Sequence, residues 1–283
     1  MTIILKGKDV AEHICENLKQ QVISLRSRNI EPTLAIVRVG EDPADLAYER
    51  GATKRAELVG VNIKSIVLDN DVSQDKLFDE INRLNIDDSV HGILLFRPLP
   101  KHIDDACVRN VIVPSKDVDG ITDIAMAGIY SNAKLGYPPC TAEACIEILK
   151  YYNISIESKN VVVVGRSLVI GKPVTMMLIK ENATVTVCHT RTKDIHEITK
   201  NADIIVAAAG SPHMILRDYV SKETVIVDVG INFDDNGKMI GDVAFDDVVD
   251  NVMAITPVPG GVGAVTSTML MKHVVDSANT KTS

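Results

Sequence analysis

Residues Val161–Pro173, reading VVVVGRSLVIGKP, limit the possible folds of this chain more than any other stretch. Four consecutive valines suit a strand buried on both faces, as in a parallel sheet covered by helices. Gly165 ends that strand. Gly171 follows six residues later, and Pro173 stands where a helix can begin. Val174–Glu181 then carries Val, Met, Leu and Ile at helical spacing. Strand, glycine turn and helix together make an anion site. The first N–H groups of the helix point outward, its dipole favours negative charge, and glycine lets the backbone come close to a phosphate. The common G-x-G-x-x-G spacing is absent; the two glycines stand as G-x-x-x-x-x-G.

The next strand, Thr184–Cys188, is followed by His189, Thr190 and Arg191. An acidic residue at this point would bind the ribose 2′-hydroxyl of NAD. Here the nearby charges are Arg191 and, in the glycine turn itself, Arg166. Two guanidinium groups at the ends of adjacent strands suit a 2′-phosphate, so NADP is expected over NAD.

The rest of the chain fits a layered α/β protein. Hydrophobic residues make up 46% of 283 residues and aromatics only 4%, so the cores are built from aliphatic side chains. That length allows one large or two medium domains. Net charge is −8 with no basic tract, which argues against nucleic acid as a partner. The N-terminal residues carry charges too early for a signal peptide, and no apolar run is long enough to span a bilayer. A soluble, cytoplasmic protein is expected. The five cysteines include no C-x-x-C, so neither a disulfide framework nor a metal site is expected.

In chain order, the spacing predicts a helix over 8–28, a strand over 33–39, a helix over 46–59 and a strand over 61–68. A helix over 73–85 with Ser73 as its cap, a strand over 90–96 and a helix over 103–113 follow. These repeated β–α units imply a mainly parallel sheet in the first half. A helix over 142–152 leads into the second half. There the strands Val161–Val164, Thr184–Cys188, Ile204–Ala208 and Thr224–Val229 are joined by a helix over 193–201, and Asp234–Gly237 reads as a hairpin turn. A last helix over 264–277 precedes a loose tail, Thr280–Ser283.

Several stretches, in order, carry a resemblance. They are Asp117-Val118-Asp119-Gly120, Gly165-Arg166-Ser167 with Gly171-Lys172-Pro173, Val229-Gly230-Ile231-Asn232, Gly241-Asp242-Val243 and Thr256–Gly263. Across almost its full length the chain resembles the methylenetetrahydrofolate dehydrogenase/cyclohydrolase family. The resemblance implies two α/β domains with a cleft between them. Residues 1–139, completed by a C-terminal helix over about 265–283, would form the folate domain. Residues 140–264 would form a Rossmann-like NADP domain. It further implies a homodimer and two activities, oxidation of 5,10-methylenetetrahydrofolate to the methenyl form and hydration of that product to 10-formyltetrahydrofolate.

Site residues follow from the same resemblance. Asp119 matches the pterin-binding carboxylate, and Tyr48 a tyrosine of the folate-site helix; both are catalytic-site candidates. Pro259, Gly260 and Gly261 match a loop beside nicotinamide and folate. Gly165, Arg166, Ser167, Gly171 and Pro173 form the cofactor turn, with Arg191, Gly230 and Ile231 along the cofactor. Ser167 could cap the following helix as well as bond a phosphate, and Asp242 could cap a helix.

Two positions depart from the family. Its folate-site tyrosine is followed four residues later by a lysine, on the same helix face; here that position is Ala52. Its third strand ends V-Q-L-P-L-P; here Leu95-Phe96-Arg97-Pro98-Leu99-Pro100 puts Phe96 in place of glutamine. Hydride transfer needs the two reacting carbons held together and no protein base at that step. Hydration needs water activation and proton management, which alanine and phenylalanine cannot supply. The expectation is a dehydrogenase with little or no cyclohydrolase activity. The competing expectations are a full bifunctional enzyme using Lys54 or Arg97, a non-catalytic NADP-binding module, and a dehydrogenase for another small substrate of shikimate or amino-acid type.

Overall fold

The computed structural model describes residues 1–280. The expected tail over 280–283 and the end of the expected C-terminal helix therefore fall largely outside the described residues. In chain order the elements are β1 (Ile3–Ile4), α1 (Gly7–Arg26), β2 (Thr33–Val39), α2 (Pro43–Val59), β3 (Asn62–Leu68), α3 (Gln74–Ile86) and β4 (Gly92–Leu95). Next come α4 (Asp105–Arg109), α5 (Asp123–Ser131), α6 (Cys140–Tyr151), β5 (Asn160–Val164), α7 (Gly171–Lys180), β6 (Thr184–Cys188), α8 (Ile195–Thr199) and β7 (Ile204–Ala207). The chain closes with β8 (Val225–Asp228), β9 (Asn232–Phe233), β10 (Met239–Ile240), α9 (Phe245–Val248), β11 (Ala254–Ile255) and α10 (Val262–Thr280).

Two compact units result. One comprises Met1–Glu12 and Thr141–Thr266, the other His13–Cys140 and Ser267–Ser283. The second unit holds a parallel sheet in the order β3-β2-β4. Its middle strand β2 is buried from Leu34 to Arg38, as a strand covered on both faces must be. Helix α2 begins at Pro43, with the Asp42 carboxylate accepting the N–H of Ala44, and ends on Gly60 in the left-handed region at φ 87°. It runs unbroken through Gly51. Helix α3 starts at the expected cap, Ser73, whose hydroxyl accepts the N–H of Lys76.

The expected helix over 103–113 is shorter. Asp104 caps α4, but the chain leaves the helix after Arg109 because Asn85 captures the following backbone. Its Nδ2 donates to the Val111 carbonyl at 2.7 Å and its Oδ1 accepts the Val113 N–H at 3.1 Å. Helix α5, absent from the sequence reading, is capped by Thr122.

The other unit is a six-stranded sheet in the order β1-β11-β8-β7-β5-β6, with its pairs all parallel. The expected folate domain starts at residue 1; in the structure residues 1–12 group with the six-stranded sheet, where Ile3 and Ile4 pair with Ala254 and Ile255. Backbone bonds from Ile3 to Met253 and from Leu5 to Ile255 zip the segment in place, and Leu5 is fully buried. A two-residue strand gains its stability from such long-range pairing and leaves no local period to read. Strand β5 sits between β6 and β7, and the chain visits β6 before crossing to β7. The strand order therefore reverses at β5, which is the topological switch point of a doubly wound sheet. Helix α7 starts at Gly171, two residues before the expected Pro173, and α8 is shorter than the predicted 193–201.

Candidate active site

The cofactor turn lies at the carboxyl end of β5. Gly165 adopts φ 130°, and a Cβ there would lie 2.1 Å from the Ala208 carbonyl oxygen, so no other residue fits. A Cβ on Gly171 would lie 2.3 Å from the Gly165 carbonyl oxygen. The two glycines thus pack strand end against helix start and leave Arg166–Val169 as an exposed loop. Ser167 does not cap the helix. Its hydroxyl accepts the N–H of Ile170 at 3.2 Å and of Gly171 more weakly at 3.5 Å, and α7 has no side-chain cap. The first N–H groups of α7 are thus taken, that of Lys172 by the Ser167 carbonyl at 3.0 Å and that of Val174 by the Ile170 carbonyl at 2.9 Å, and Pro173 has none, so an anion at this turn would meet the exposed Arg166–Val169 loop. Pro173 is buried in its first turn.

Val164 pairs with Cys188, so the ends of β5 and β6 lie side by side. Arg166 and Arg191 follow these ends, both exposed, and neither guanidinium is bonded to an acidic side chain among the described residues. The Arg191 N–H is held by Nδ1 of His189 at 3.1 Å, and the His189 N–H by the Thr192 hydroxyl at 2.9 Å, which fixes a turn that presents Arg191. Gly230 and Ile231 follow β8, Gly230 buried and Ile231 61% exposed. Pro259, Gly260 and Gly261 lie between β11 and α10, and the Gly260 carbonyl accepts the N–H of Gly7 at 2.9 Å. All these residues belong to the unit of the six-stranded sheet.

Tyr48 and Asp119 come together in the other unit. Tyr48 lies on α2, and its ring meets Phe96, just beyond β4, edge to face at 5.7 Å between centroids. Tyr48 keeps 36% of its surface exposed, open to a ligand. Burial of its hydroxyl, then the charge of Asp119, push its ionisation well above 10. Asp119 is half-buried. Burial first and Asp117 second raise its carboxyl to about 6, opposed by a hydrogen bond with Cys140 and by His273 and Arg97. Asp117 is occupied otherwise, accepting the N–H groups of Ile121 at 3.0 Å and Thr122 at 2.8 Å.

Sequence reading missed the groups around Asp119. His273, on α10, bonds through Nδ1 to the Val118 carbonyl at 2.7 Å, so Nδ1 carries the proton. Its ring stacks on Tyr137 at 4.8 Å. The Cys140 thiol lies 3.3 Å from the same carbonyl. No sequence period or motif separates these two from ordinary core residues.

Ala52 is buried at 1% exposure one turn beyond Tyr48, and Phe96 is buried at 8%. Lys54 is exposed. Arg97 is joined through Nε and Nη2 to both oxygens of Asp105, and these bonds to the carboxylate hold its proton more tightly still.

A doubly wound sheet with a glycine turn at its switch point, in a chain whose other α/β unit brings a tyrosine near a half-buried carboxylate, defines a dinucleotide-dependent oxidoreductase. Comparison with known proteins makes this particular. Residues 5–119 match the catalytic domain, and residues 139–282 the NAD(P)-binding domain, of the tetrahydrofolate dehydrogenase/cyclohydrolase family. A relative from Alkaliphilus metalliredigens, the bifunctional protein FolD, is 46% identical over 96% of each chain. The crystal structure of the bifunctional methylenetetrahydrofolate dehydrogenase/cyclohydrolase from Campylobacter jejuni superposes with a TM-score of 0.97 at 40% identity, covering 99% of this chain and 100% of the other. The Trypanosoma brucei enzyme, solved with NADP cofactor and inhibitor, gives 0.93 at 34% identity over 99% and 98% of the two chains. The chain belongs to the tetrahydrofolate dehydrogenase/cyclohydrolase family.

Proposed function

We propose that this protein is an NADP-dependent 5,10-methylenetetrahydrofolate dehydrogenase that has lost the cyclohydrolase activity of its relatives. The observation that carries the proposal is the apolar surround of Tyr48. Ala52 and Phe96, both buried, occupy the positions where the family has its lysine and glutamine. Neither substitute cation is available: Lys54 is on the exposed side of an uninterrupted helix, and Arg97 is bound to Asp105. An arginine in a two-point ion pair is a poor proton shuttle in any case. Without such a group, hydration forgoes acid–base help worth about 10²–10⁴-fold.

The dehydrogenase step asks less of the chain. Asp119 accepts hydrogen bonds from the 2-amino and N3–H groups of the pterin. Tyr48 keeps a binding role, its ring held upright by Phe96. Gly165–Gly171 receive the pyrophosphate, Arg166 and Arg191 the 2′-phosphate, and Gly230, Ile231 and the Pro259–Gly261 loop the nicotinamide end. The packed glycines and the exposed Arg166–Val169 loop fit such a group. Bound NADP⁺ supplies a hydride acceptor; the protein contributes orientation, which alone can lower a barrier of this kind by roughly 7–11 kcal/mol. A homodimer belongs to the same reading.

The second reading, a full bifunctional enzyme, is favoured by the bifunctional names of the relatives. Restoring the family pair separates the two. In the variant Ala52→Lys/Phe96→Gln, protein-dependent hydrolysis of methenyltetrahydrofolate should rise by at least about tenfold over the wild type. No gain, with an already fast wild type, would favour the bifunctional reading. Absence of NADPH formation by the wild type with methylenetetrahydrofolate would instead support a non-catalytic module.

A further inference from the structure

At the carboxyl ends of β7 and β8, three loops meet around two buried aspartates that the proposed reaction does not use. Asp242 is 0% exposed. Its Oδ2 accepts the N–H groups of Ala209 at 2.6 Å and Gly210 at 2.9 Å. Its Oδ1 accepts the N–H of Ser211 and the Nδ2 of Asn232, each at 2.9 Å. This replaces the expected helix cap: Asp242 caps nothing and ties the loop after β7 to the start of β9. Asp228, the last residue of β8, stands behind it. Its carboxylate accepts the N–H groups of Gly230 at 2.9 Å, Asp242 at 3.1 Å and Val243 at 3.0 Å, so it fixes the backbone from which Asp242 projects. A Cβ on Gly230 would lie 2.4 Å from the Asp242 carboxyl. Glycine is therefore required there by the closeness of the carboxylate, and Ile231, next along, is turned outward.

The topology gives this cluster a place relative to the cofactor. A dinucleotide laid across the switch point at β5 sends its two halves to opposite sides. Arg166 and Arg191 mark the β6 side for the adenosine 2′-phosphate. The nicotinamide half then meets the loops after β7 and β8, the loops that Asp242 joins.

We propose that Asp242 is a positioning residue for the nicotinamide half of NADP, holding Ala209–Ser211 and Gly230–Asn232 as two walls in fixed register. The inference rests on the cofactor reading above. Four donors converge on two oxygens. A carboxamide offers one acceptor oxygen and aims its own N–H₂ at donors, leaving buried N–H groups unpaired.

The test titrates NADP⁺ and adenosine 2′,5′-bisphosphate, which lacks the nicotinamide half, into the wild type and Asp242→Asn. The variant should bind NADP⁺ about tenfold more weakly and the bisphosphate within about twofold of the wild type. Amide hydrogen exchange should quicken at Ala209–Ser211 and stay unchanged along β5 and β6. Asn232→Ala removes one donor from a half-buried position. It should show the same split at roughly threefold, and it decides the matter if Asp242→Asn fails to fold. Equal weakening toward both ligands, or toward neither, would overturn the inference while leaving the cofactor reading standing. A wild type that binds neither ligand would sink the cofactor reading itself, and the inference with it.

Discussion

Asp119, the proposed pterin-binding carboxylate, carries its charge at the expense of stability. Its carboxyl is raised to about 6 because burial and Asp117 disfavour its charge. Below about pH 4 the folded and unfolded chains both hold that proton. As pH rises from there through 6, the unfolded chain loses it first, so the folded state loses stability relative to the unfolded one. Asp119→Asn should therefore stabilise the protein at pH 7.5 by about 1–3 kcal/mol and give little benefit at pH 4, as read by denaturant unfolding. The same substitution should weaken tetrahydrofolate binding at pH 7.5 and remove its decline below pH 6. A variant less stable than the wild type at pH 7.5, or a benefit independent of pH, would mean that the carboxylate is better solvated than its surroundings imply.

At the scale of elements, the strand ends and the turns between them carry the chemistry. Arg166 and Arg191 sit on adjacent strand ends with no acidic partner among the described residues, each free for a 2′-phosphate. Replacing either by alanine should raise the Michaelis constant for NADP⁺ by at least about tenfold and change that for NAD⁺ little, since each arginine–phosphate contact is a charge-assisted one. Equal effects on both cofactors would make the arginines general scaffolding. Elements of this kind were the legible part of the sequence. The valine run of β5, the apolar strand β2 and the Ser73 cap read directly, because burial on both faces and capping chemistry leave local marks. The strands β1 and β11 left none, since a two-residue strand is defined by its partner. Helix α4 was overestimated because Asn85, distant in sequence, captures its expected last turn. Asp242 read as a helix cap, since its role depends on a loop that only the fold brings to it. Tyr48, Asp119, Ala52 and Phe96 were found through family resemblance; no period in this chain would have singled them out, and Cys140 and His273 went unseen.

Across the molecule, the N-terminal segment is the least expected participant. Residues 2–7 run along the stretch that ends in the Pro259–Gly261 loop, with the Thr2 hydroxyl donating to Val249 at 2.6 Å and the Gly7 N–H to Gly260 at 2.9 Å. The segment thus extends the six-stranded sheet and braces the Pro259–Gly261 loop of the proposed cofactor site. Deleting residues 2–6 removes a fully buried leucine and several backbone bonds, and should cost at least about 3 kcal/mol of stability. Thermal unfolding would show the loss, and an equally stable truncated chain would mean that β1 adds nothing to the sheet. On the proposed reading, both units keep the parts that bind cofactor and folate, while Ala52 and Phe96, buried around Tyr48, stand where the groups that handle water would be. The most direct test is to follow added 5,10-methenyltetrahydrofolate with and without the purified protein, in an assay where the protein demonstrably forms NADPH from methylenetetrahydrofolate and NADP⁺. The account predicts NADPH formation with methenyl hydrolysis at the rate of buffer alone. Clear acceleration of hydrolysis by the protein would contradict it and make Lys54 and Arg97 the next residues to replace.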